Sequence, residues 1–475
     1  MDSNMTEKGF STNSSDNETL DHQKDGDSLF RQLAPDDLSR FEATSKGHID
    51  ADLEHGPKRE SEVPHPVGPD KDTVPDGGFE AWFQCFGSWV IMANTWGVIN
   101  CYGVYQTFYA RGTLFDRSPS DLSWIGSLQS ALLLIVGSVV GPLYDAGHFR
   151  AMMLSGVFLI LFGLFMVSLS TTYWQVMLSQ GLCVGLGCGL AFLPSTAILS
   201  QYFDKHLGLA IGISSTGSPV AGIILPIMFG QLEPKVGFAR ATRYIAVLLT
   251  VFSIVPVVFM RTRVKPIKRK FGGSTIKGIF KDIPFLLSAL GLAFAFMTMY
   301  VPYFYIQTYA INKGITTKDF SPYLITIVSA GSILGRVIPN YISDKAGPLN
   351  VMVSMVFMSL ILASCWMTIN SLAGMIAFCA FYGMASGGVV SGTSSVVISL
   401  SPSMDVVGTR IGFLFTFAGL ATLVGPPVTG ALIGDNEARN WKAGISWVSG
   451  GLALGWTMLL LSRVLHYHGH KARRI

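Results

Sequence analysis

Twelve runs of mostly apolar residues constrain this chain more than any other feature of its sequence. A helix needs about 20 such residues to cross a ~30 Å hydrocarbon core. In lipid every backbone polar group must be satisfied internally, so spanning segments without alternating polarity are expected to be helices. Six runs lie within residues 83–260 and six within 283–462. The sequence therefore predicts an all-α integral membrane protein with twelve transmembrane helices in two six-helix halves.

The segments outside these halves differ in charge. Residues 1–82 hold 8 Lys/Arg against 19 Asp/Glu, and with so few apolar residues we expect a disordered acidic tail. Residues 261–282 form a basic linker and residues 463–475 a basic tail. The membrane connections on the side of the two termini, together with the linker and the C-terminal tail, carry 16 Lys/Arg, and the opposite side carries 9. The basic excess predicts that both termini are cytoplasmic. We expect a multi-pass protein of the plasma membrane.

The two halves repeat each other's motifs. Asp145 follows the second apolar run and Asp344 follows the eighth, at an offset of 199. The segment 217–222 reads GSPVAG and the segment 425–430 reads GPPVTG, at an offset of 208. Matching motifs in the same order predict a duplicated six-helix unit, an arrangement found in secondary transporters. The sequence contains no phosphate-binding loop of the GxxxxGK[ST] type, so we expect transport driven by a gradient.

A polar motif follows the second run in each half. Gly141 and Asp145, four residues apart, precede Arg150, and Asp344 is followed directly by Lys345. These stretches resemble the signature of the major facilitator superfamily. The resemblance implies a cytoplasmic latch formed by Asp145, Arg150, Asp344 and Lys345, since each Asp can cap a helix and pair with a charge across its end. An ordinary polar turn is the alternative interpretation.

The start of the first run resembles a narrower family. Residues 75–82 read PDGGFEAW, and Asp-Gly-Gly-aromatic followed by Trp is similar to the mark of the monocarboxylate porter family, here with the extra residue of its fungal branch. The resemblance covers residues 75–465. It predicts a turn at the glycines and a membrane-interface anchor at Trp82.

Arg336 is the charged residue that lies well inside an apolar run, and an intramembrane charge is a functional hypothesis by default. Carriers of the resembled family place an arginine at this point, where it binds the substrate carboxylate, with an Asp four residues earlier and a lysine in the first span. Here Ser332 and Asn100 occupy those two positions. Simple proton-linked symport of a small acid is therefore disfavoured. In an alternative interpretation Arg336 belongs to the latch with Asp344.

Aromatic and amide side chains concentrate in the first and seventh runs. Such a lining suits a larger, partly aromatic and weakly polar substrate, because tyrosine offers a flat apolar face with one polar tip. Asn94 and Tyr105 recur at helical spacing and should share a face, while Tyr109 and Tyr309 are expected at the membrane interface. Together with Arg336, the predicted substrate-binding residues are Asn94, Asn100, Tyr105, Gln106, Tyr303 and Gln307.

These features predict a secondary active transporter that moves a small organic molecule, carboxylated or phenolic, by alternating access, with efflux of a secondary metabolite as the leading interpretation. Proton-linked uptake of a monocarboxylate or vitamin and a non-transporting membrane sensor are the alternatives. The lipid bilayer is an expected partner, and co-transport of protons stays open. The sequence predicts no enzyme activity, no cofactor, no metal site and no nucleic-acid partner.

Overall fold

The computed structural model describes residues 75–204, 206–263, 278–402, 404–434 and 440–470. These residues belong to one compact unit, Pro69–Ile475, and their regular structure is helical. Eleven helices among them are long and apolar enough to cross a membrane. A twelfth, α1, is divided into consecutive helical pieces. The predicted all-α membrane fold is confirmed.

The first half contains six helices. In α1 a helix over Gly78–Met92 leads through a π-helical turn over Ala93–Gly97 into Val98–Asn100 and then Tyr102–Tyr109. The other five are α2 (Pro119–Asp145), α3 (Phe149–Val167), α4 (Tyr173–Gln201), α5 (Leu207–Val236) and α6 (Phe238–Phe259).

The second half has the same count. Its helices are α7 (Ile283–Asn312), α8 (Ser321–Ala346), α9 (Pro348–Trp366), α10 (Leu372–Ser399), α11 (Met404–Ile433) and α12 (Trp441–His470). The helix α12 thus continues into the segment that the sequence assigns to a tail, because a helix that has left the membrane still satisfies its own backbone.

The first helix of each half is broken at the same point of the repeat. A turn at Cys101 divides α1 and a turn at Tyr300 divides α7, at an offset of 199. Gly103 lies two residues after the turn in α1. A Cβ built on it would lie 2.1 Å from the carbonyl oxygen of Tyr303, which lies just after the turn in α7. The two broken helices therefore cross in near backbone contact at the centre of the molecule.

We call the end of the bundle at which α1 begins and α12 ends the terminal face, and the opposite end the far face. Along the α2–α11 seam, a Cβ built on Gly430 near the far face would lie 2.7 Å from its neighbour across the seam. The corresponding distance is 2.7 Å at Gly419 and 3.5 Å at Gly412, and Gly408, nearest the terminal face, has no neighbour within 4 Å. This seam closes at the far face and opens towards the terminal face.

The α5–α8 seam behaves in the same way. A Cβ on Gly230 would lie 2.8 Å from α8 and one on Gly222 2.5 Å from it. Gly212 and Gly208, on the same stripe nearer the terminal face, have nothing within 4 Å. Both seams between the halves are therefore closed at the far face, and the space between the halves opens towards the terminal face.

Candidate functional site

A polar cluster links the two halves at the centre of the bundle. Arg336 on α8 is 5% exposed, and its Nη2 donates to Ser218 Oγ on α5 over 3.5 Å. Asn100 Nδ2 on α1 donates to the same oxygen over 3.2 Å. We call Asn100, Ser218, Ser329 and Arg336 the central hub. The structure thus brings together two of the predicted binding residues, Asn100 and Arg336, through a serine that the sequence does not single out.

Close helix approach explains why these side chains meet. A Cβ on Gly222 would lie 2.5 Å from Ser329 Oγ and 3.5 Å from Asn100 Cβ, so only a residue without a side chain lets α1, α5 and α8 converge here. Gly97 on α1, one turn before Asn100, has the same role. A Cβ built on Gly97 would lie 2.4 Å from Ala221 Cβ on α5. Small residues at membrane helix interfaces allow this approach.

The hub has more hydrogen-bond donors than acceptors. Arg336 Nε and Ser329 Oγ are buried and have no partner among the described residues. Ser218 Oγ accepts both of its bonds, so its own hydroxyl proton stays available. An unmet buried donor costs about 1–3 kcal/mol, and more when it is charged. A ligand with oxygen acceptors, such as a carboxylate or phenolate, would satisfy these donors.

Aromatic side chains form a wall beside the hub. Tyr300 and Tyr303 lie within electrostatic range of the Arg336 guanidinium, and the Tyr303 hydroxyl is 3.0 Å from Ser386 Oγ on α10. Trp96 of the other half stacks on Tyr300 with ring centroids 6.1 Å apart. Tyr303, a predicted binding residue, therefore lies beside Arg336. Trp96, one of three tryptophans in α1, was not among the predicted binding residues.

Two predicted binding residues lie elsewhere. Asn94 Nδ2 donates to Ser253 Oγ on α6 over 2.7 Å, and the Tyr105 ring packs on Phe229 of α5 with centroids 4.5 Å apart. They do share a face of α1, as their spacing predicts, but that face packs inside their own half. Periodicity identifies a common face and not the neighbour to which it turns.

The two glutamines differ in their surroundings. Gln106 Nε2 donates to Ser123 Oγ on α2 over 3.4 Å, near the far face. Gln307 is 1% exposed, and its Nε2 has no partner in the part of the chain that the structure describes. Gln106 therefore lies at the closed far face and not in the central hub.

Hydrogen bonds between the halves close the far face. The Tyr305 hydroxyl on α7 is hydrogen-bonded to Ser123 Oγ and lies 3.0 Å from the Pro119 carbonyl oxygen and 3.4 Å from that of Pro426. Ser120 Oγ donates to the Pro427 carbonyl oxygen over 2.9 Å. We call these six residues the far-face gate. It joins α2 of the first half to α7 and α11 of the second.

Tyr109 and Tyr309 are each 1% exposed, so their predicted position in an interfacial belt is wrong. The Tyr109 hydroxyl donates to Gln180 Oε1 over 2.8 Å, and that of Tyr309 lies 3.3 Å from the Trp366 carbonyl oxygen. Both hydroxyls are satisfied inside their own half, which makes burial favourable.

The predicted latch lies at the terminal face. Arg150 and Lys345 are exposed, and Lys345 Nζ lies 4.8 Å from the ring centroid of Tyr341 on the same helix. The side chains of Asp145 and Asp344 lie outside the described set. The terminal ends of both seams are open, so in this conformation Arg150 and Lys345 face solvent.

The Asp-Gly-Gly motif ties α1 to the turn between α4 and α5. Asp76 Oδ1 accepts from the backbone N–H groups of Asp204 and His206, each over 3.0 Å. The bond from the His206 amide is the main reason why the pKa of Asp76 lies below its ordinary value of 3.8. Trp82 packs edge-on against Phe203 with centroids 5.0 Å apart. The motif therefore fixes the position of α1 on its own half, in addition to the predicted turn.

Comparisons with known proteins agree with this architecture. A family model described as Major Facilitator Superfamily matches residues 82–403 and 317–474. The chain is 37% identical to the MFS-type transporter dbaD of Emericella nidulans over 377 residues, which cover 79% of this chain and 84% of that protein.

Two further proteins extend the comparison. The aspyridones efflux protein apdF of Emericella nidulans is 33% identical over 411 residues, covering 85% of this chain and 83% of that protein. Among solved structures, the nucleoside transporter NupG aligns with a TM-score of 0.62 at 13% identity, covering 81% of this chain and all of that one. The structural likeness concerns the fold alone.

Proposed function

The chain belongs to the Major Facilitator Superfamily, and on that premise we propose that it exports a small organic anion, carboxylated or phenolic, by alternating access. One observation carries the proposal. Arg336 is a buried cation between the halves, its hydrogen bond to Ser218 is long at 3.5 Å, and its Nε has no partner among the described residues. Guanidinium groups bind planar oxyanions through paired hydrogen bonds.

The geometry supplies a sequence of steps. In the observed conformation a ligand enters from the terminal face and meets Arg336 and Ser329 beside the tyrosine wall. Its oxygens replace the weak contact between Arg336 and Ser218 and satisfy the unmet donors. Since a ligand shifts an equilibrium only through its different affinities for the two states, the bound anion must stabilise the conformation in which the terminal face is closed and the far-face gate is open.

The proposal also gives a direction of transport and a branch of the family. We place the terminal face on the cytoplasmic side of a plasma membrane, because the basic excess lies on that side. Loading from the cytoplasm then makes the protein an exporter, and a relative of similar length is named as an efflux protein. We assign the chain to the fungal branch of the monocarboxylate porters through its Asp-Gly-Gly motif, although Asn100 and Ser332 replace the ionisable groups of the acid carriers.

Ligand-induced thermal stabilisation of the purified full-length protein tests the proposal. The probes are salicylate and benzoate, each matched with its neutral amide, and the control is Lys318→Gln on the exposed α7–α8 connection. We expect the acids to stabilise the wild type and the control. Arg336→Gln should weaken their binding about 30-fold or more, because truncating one partner of a buried charge pair costs about 2 kcal/mol or more. Equal stabilisation by acids and amides, or unchanged binding by Arg336→Gln, would contradict an anion site.

A further inference from the structure

Among the described residues, no acidic side chain forms an ion pair with Arg336. Between residues 283 and 433 the acidic residues are Asp319, Asp344 and Asp405, and each lies at a helix end or in a connection. The acidic residues of the first half, from residue 83 to 260, are likewise at helix ends or in connections. The other buried arginine of the second half, Arg410, shows the contrast.

Arg410 is 5% exposed, as Arg336 is, but it forms a 2.7 Å ion pair with Asp282. Its second amine group donates to the Leu400 carbonyl oxygen over 2.8 Å. Arg410 thus belongs to a neutral pair at the terminal face. Arg336 contacts a neutral serine instead, so the empty transporter holds one net positive charge between its two seams.

Alternating access makes Arg336 face first one side of the membrane and then the other. In the observed conformation Arg336 is 5% exposed, the seams beyond it open towards the terminal face, and the far-face gate separates it from the other side. When the gate opens and the seams close, the barrier moves to the opposite side of Arg336. The charge then crosses much of the membrane field although the side chain itself moves little. A full elementary charge gains about 2.3 kcal/mol per 100 mV.

We propose that the membrane potential drives the empty transporter back to its terminal-open conformation through the charge of Arg336, and that a bound monoanion cancels this charge. The loaded step is then electroneutral and the return step electrogenic. With a cytoplasm that is negative inside, the potential favours the conformation in which Arg336 faces the cytoplasm, ready for loading. Export of the anion needs no titratable protein group under this mechanism. The loaded half of the cycle rests on the proposed anion substrate, and the empty half does not.

Charge movement in the absence of any substrate tests the proposal. The full-length protein is expressed at the surface of voltage-clamped oocytes, and transient currents are recorded during voltage steps. We expect a saturable charge of up to one elementary charge per transporter. For a complete crossing of the field, the ratio of the two conformations changes roughly 50-fold per 100 mV. Arg336→Gln should abolish the charge at equal surface abundance, whereas Arg336→Lys and the control Lys318→Gln should keep it.

Three results would overturn the inference. They are an absence of transient charge in the wild type at normal abundance, an unchanged charge in Arg336→Gln, and a charge that vanishes when external chloride is replaced, which would mean that the moving charge is the chloride ion and not Arg336. Failure of the proposed function gives a different pattern. If Arg336 does not bind the substrate, the acid probes lose their effect but the substrate-free charge movement persists.

Discussion

Removing one hydroxyl from the far-face gate should shift the balance between the two conformations. Tyr305 is the residue to change, because its hydroxyl contacts both halves through Ser123, Pro119 and Pro426. A phenol has one proton to donate and can also accept, so about two of the three contacts can be good hydrogen bonds at once. Each is worth about 0.5–1.5 kcal/mol. Tyr305→Phe should therefore weaken the closed gate by about 1–3 kcal/mol, roughly a 5- to 150-fold change in the ratio of closed to open protein.

A matched control lies one turn further along the same helix. The Tyr309 hydroxyl bonds to the Trp366 carbonyl oxygen, which belongs to its own half. Tyr309→Phe should therefore lower overall stability without favouring either conformation. The two variants differ in which halves their hydroxyls join, and they share helix, residue type and depth of burial.

Distances between spin labels across the far face measure the effect. Asp116→Cys and Lys442→Cys place labels on exposed positions of the two halves, in a background where the exposed Cys365 is replaced by serine. Tyr305→Phe should increase the population with a long label distance, and Tyr309→Phe should not. Equal distance distributions for wild type and Tyr305→Phe, or the same increase in both variants, would refute the role of this hydroxyl as a gate.

Three further outcomes follow from the contacts. Gly425→Ala should lower the unfolding temperature in detergent, since its Cβ would meet a carbonyl oxygen at 1.6 Å and overpacking costs about 1–3 kcal/mol; Gly408→Ala, with nothing within 4 Å, should not. Asp76→Asn should speed amide exchange in residues 202–206. Because the pKa of Asp76 is lowered on folding, the stabilisation that Asp76 contributes is present above pH 3.8 and is lost as the pH falls through the folded pKa. Acid should therefore speed amide exchange in the wild type as well. Ser218→Ala should weaken acid binding less than Arg336→Gln, as measured by titration of salicylate.

The membrane explains why the fold was predictable. Lipid leaves helices as the available way to satisfy the backbone of a long apolar run, so hydropathy gives the number and order of the helices. The breaks within them were less visible. The π-helical turn over Ala93–Gly97 and the turn at Cys101 both lie inside an uninterrupted apolar run. Asn94 lies within the π-helical turn and donates to Ser253 on α6, whereas Asn100 lies directly before the turn at Cys101 and donates to Ser218 in the hub.

The candidate site was predictable where it depended on charge. Arg336 stands out because a cation inside an apolar run is rare. Ser218 and Ser329 do not, since serine is frequent in membrane helices and is accommodated by bonding to its own backbone. Their importance comes from the close approach at Gly222, which depends on how α5 and α8 cross. That crossing is a property of two segments more than a hundred residues apart, and no local pattern reports it.

The energies of the hub and the gate fit one another. The gate hydroxyl of Tyr305 contributes about 1–3 kcal/mol to the closed far face, whereas the hub in the same conformation has a single long contact from Arg336 to Ser218 at 3.5 Å. A hydrogen bond to a charged group is worth about 1.5–3 kcal/mol. If an anion forms that bond fully only when the terminal seams close around it, its gain is of the same size as the loss at Tyr305. The ligand then needs no contact with the gate to open it, because the difference in its affinity for the two conformations offsets the gate energy.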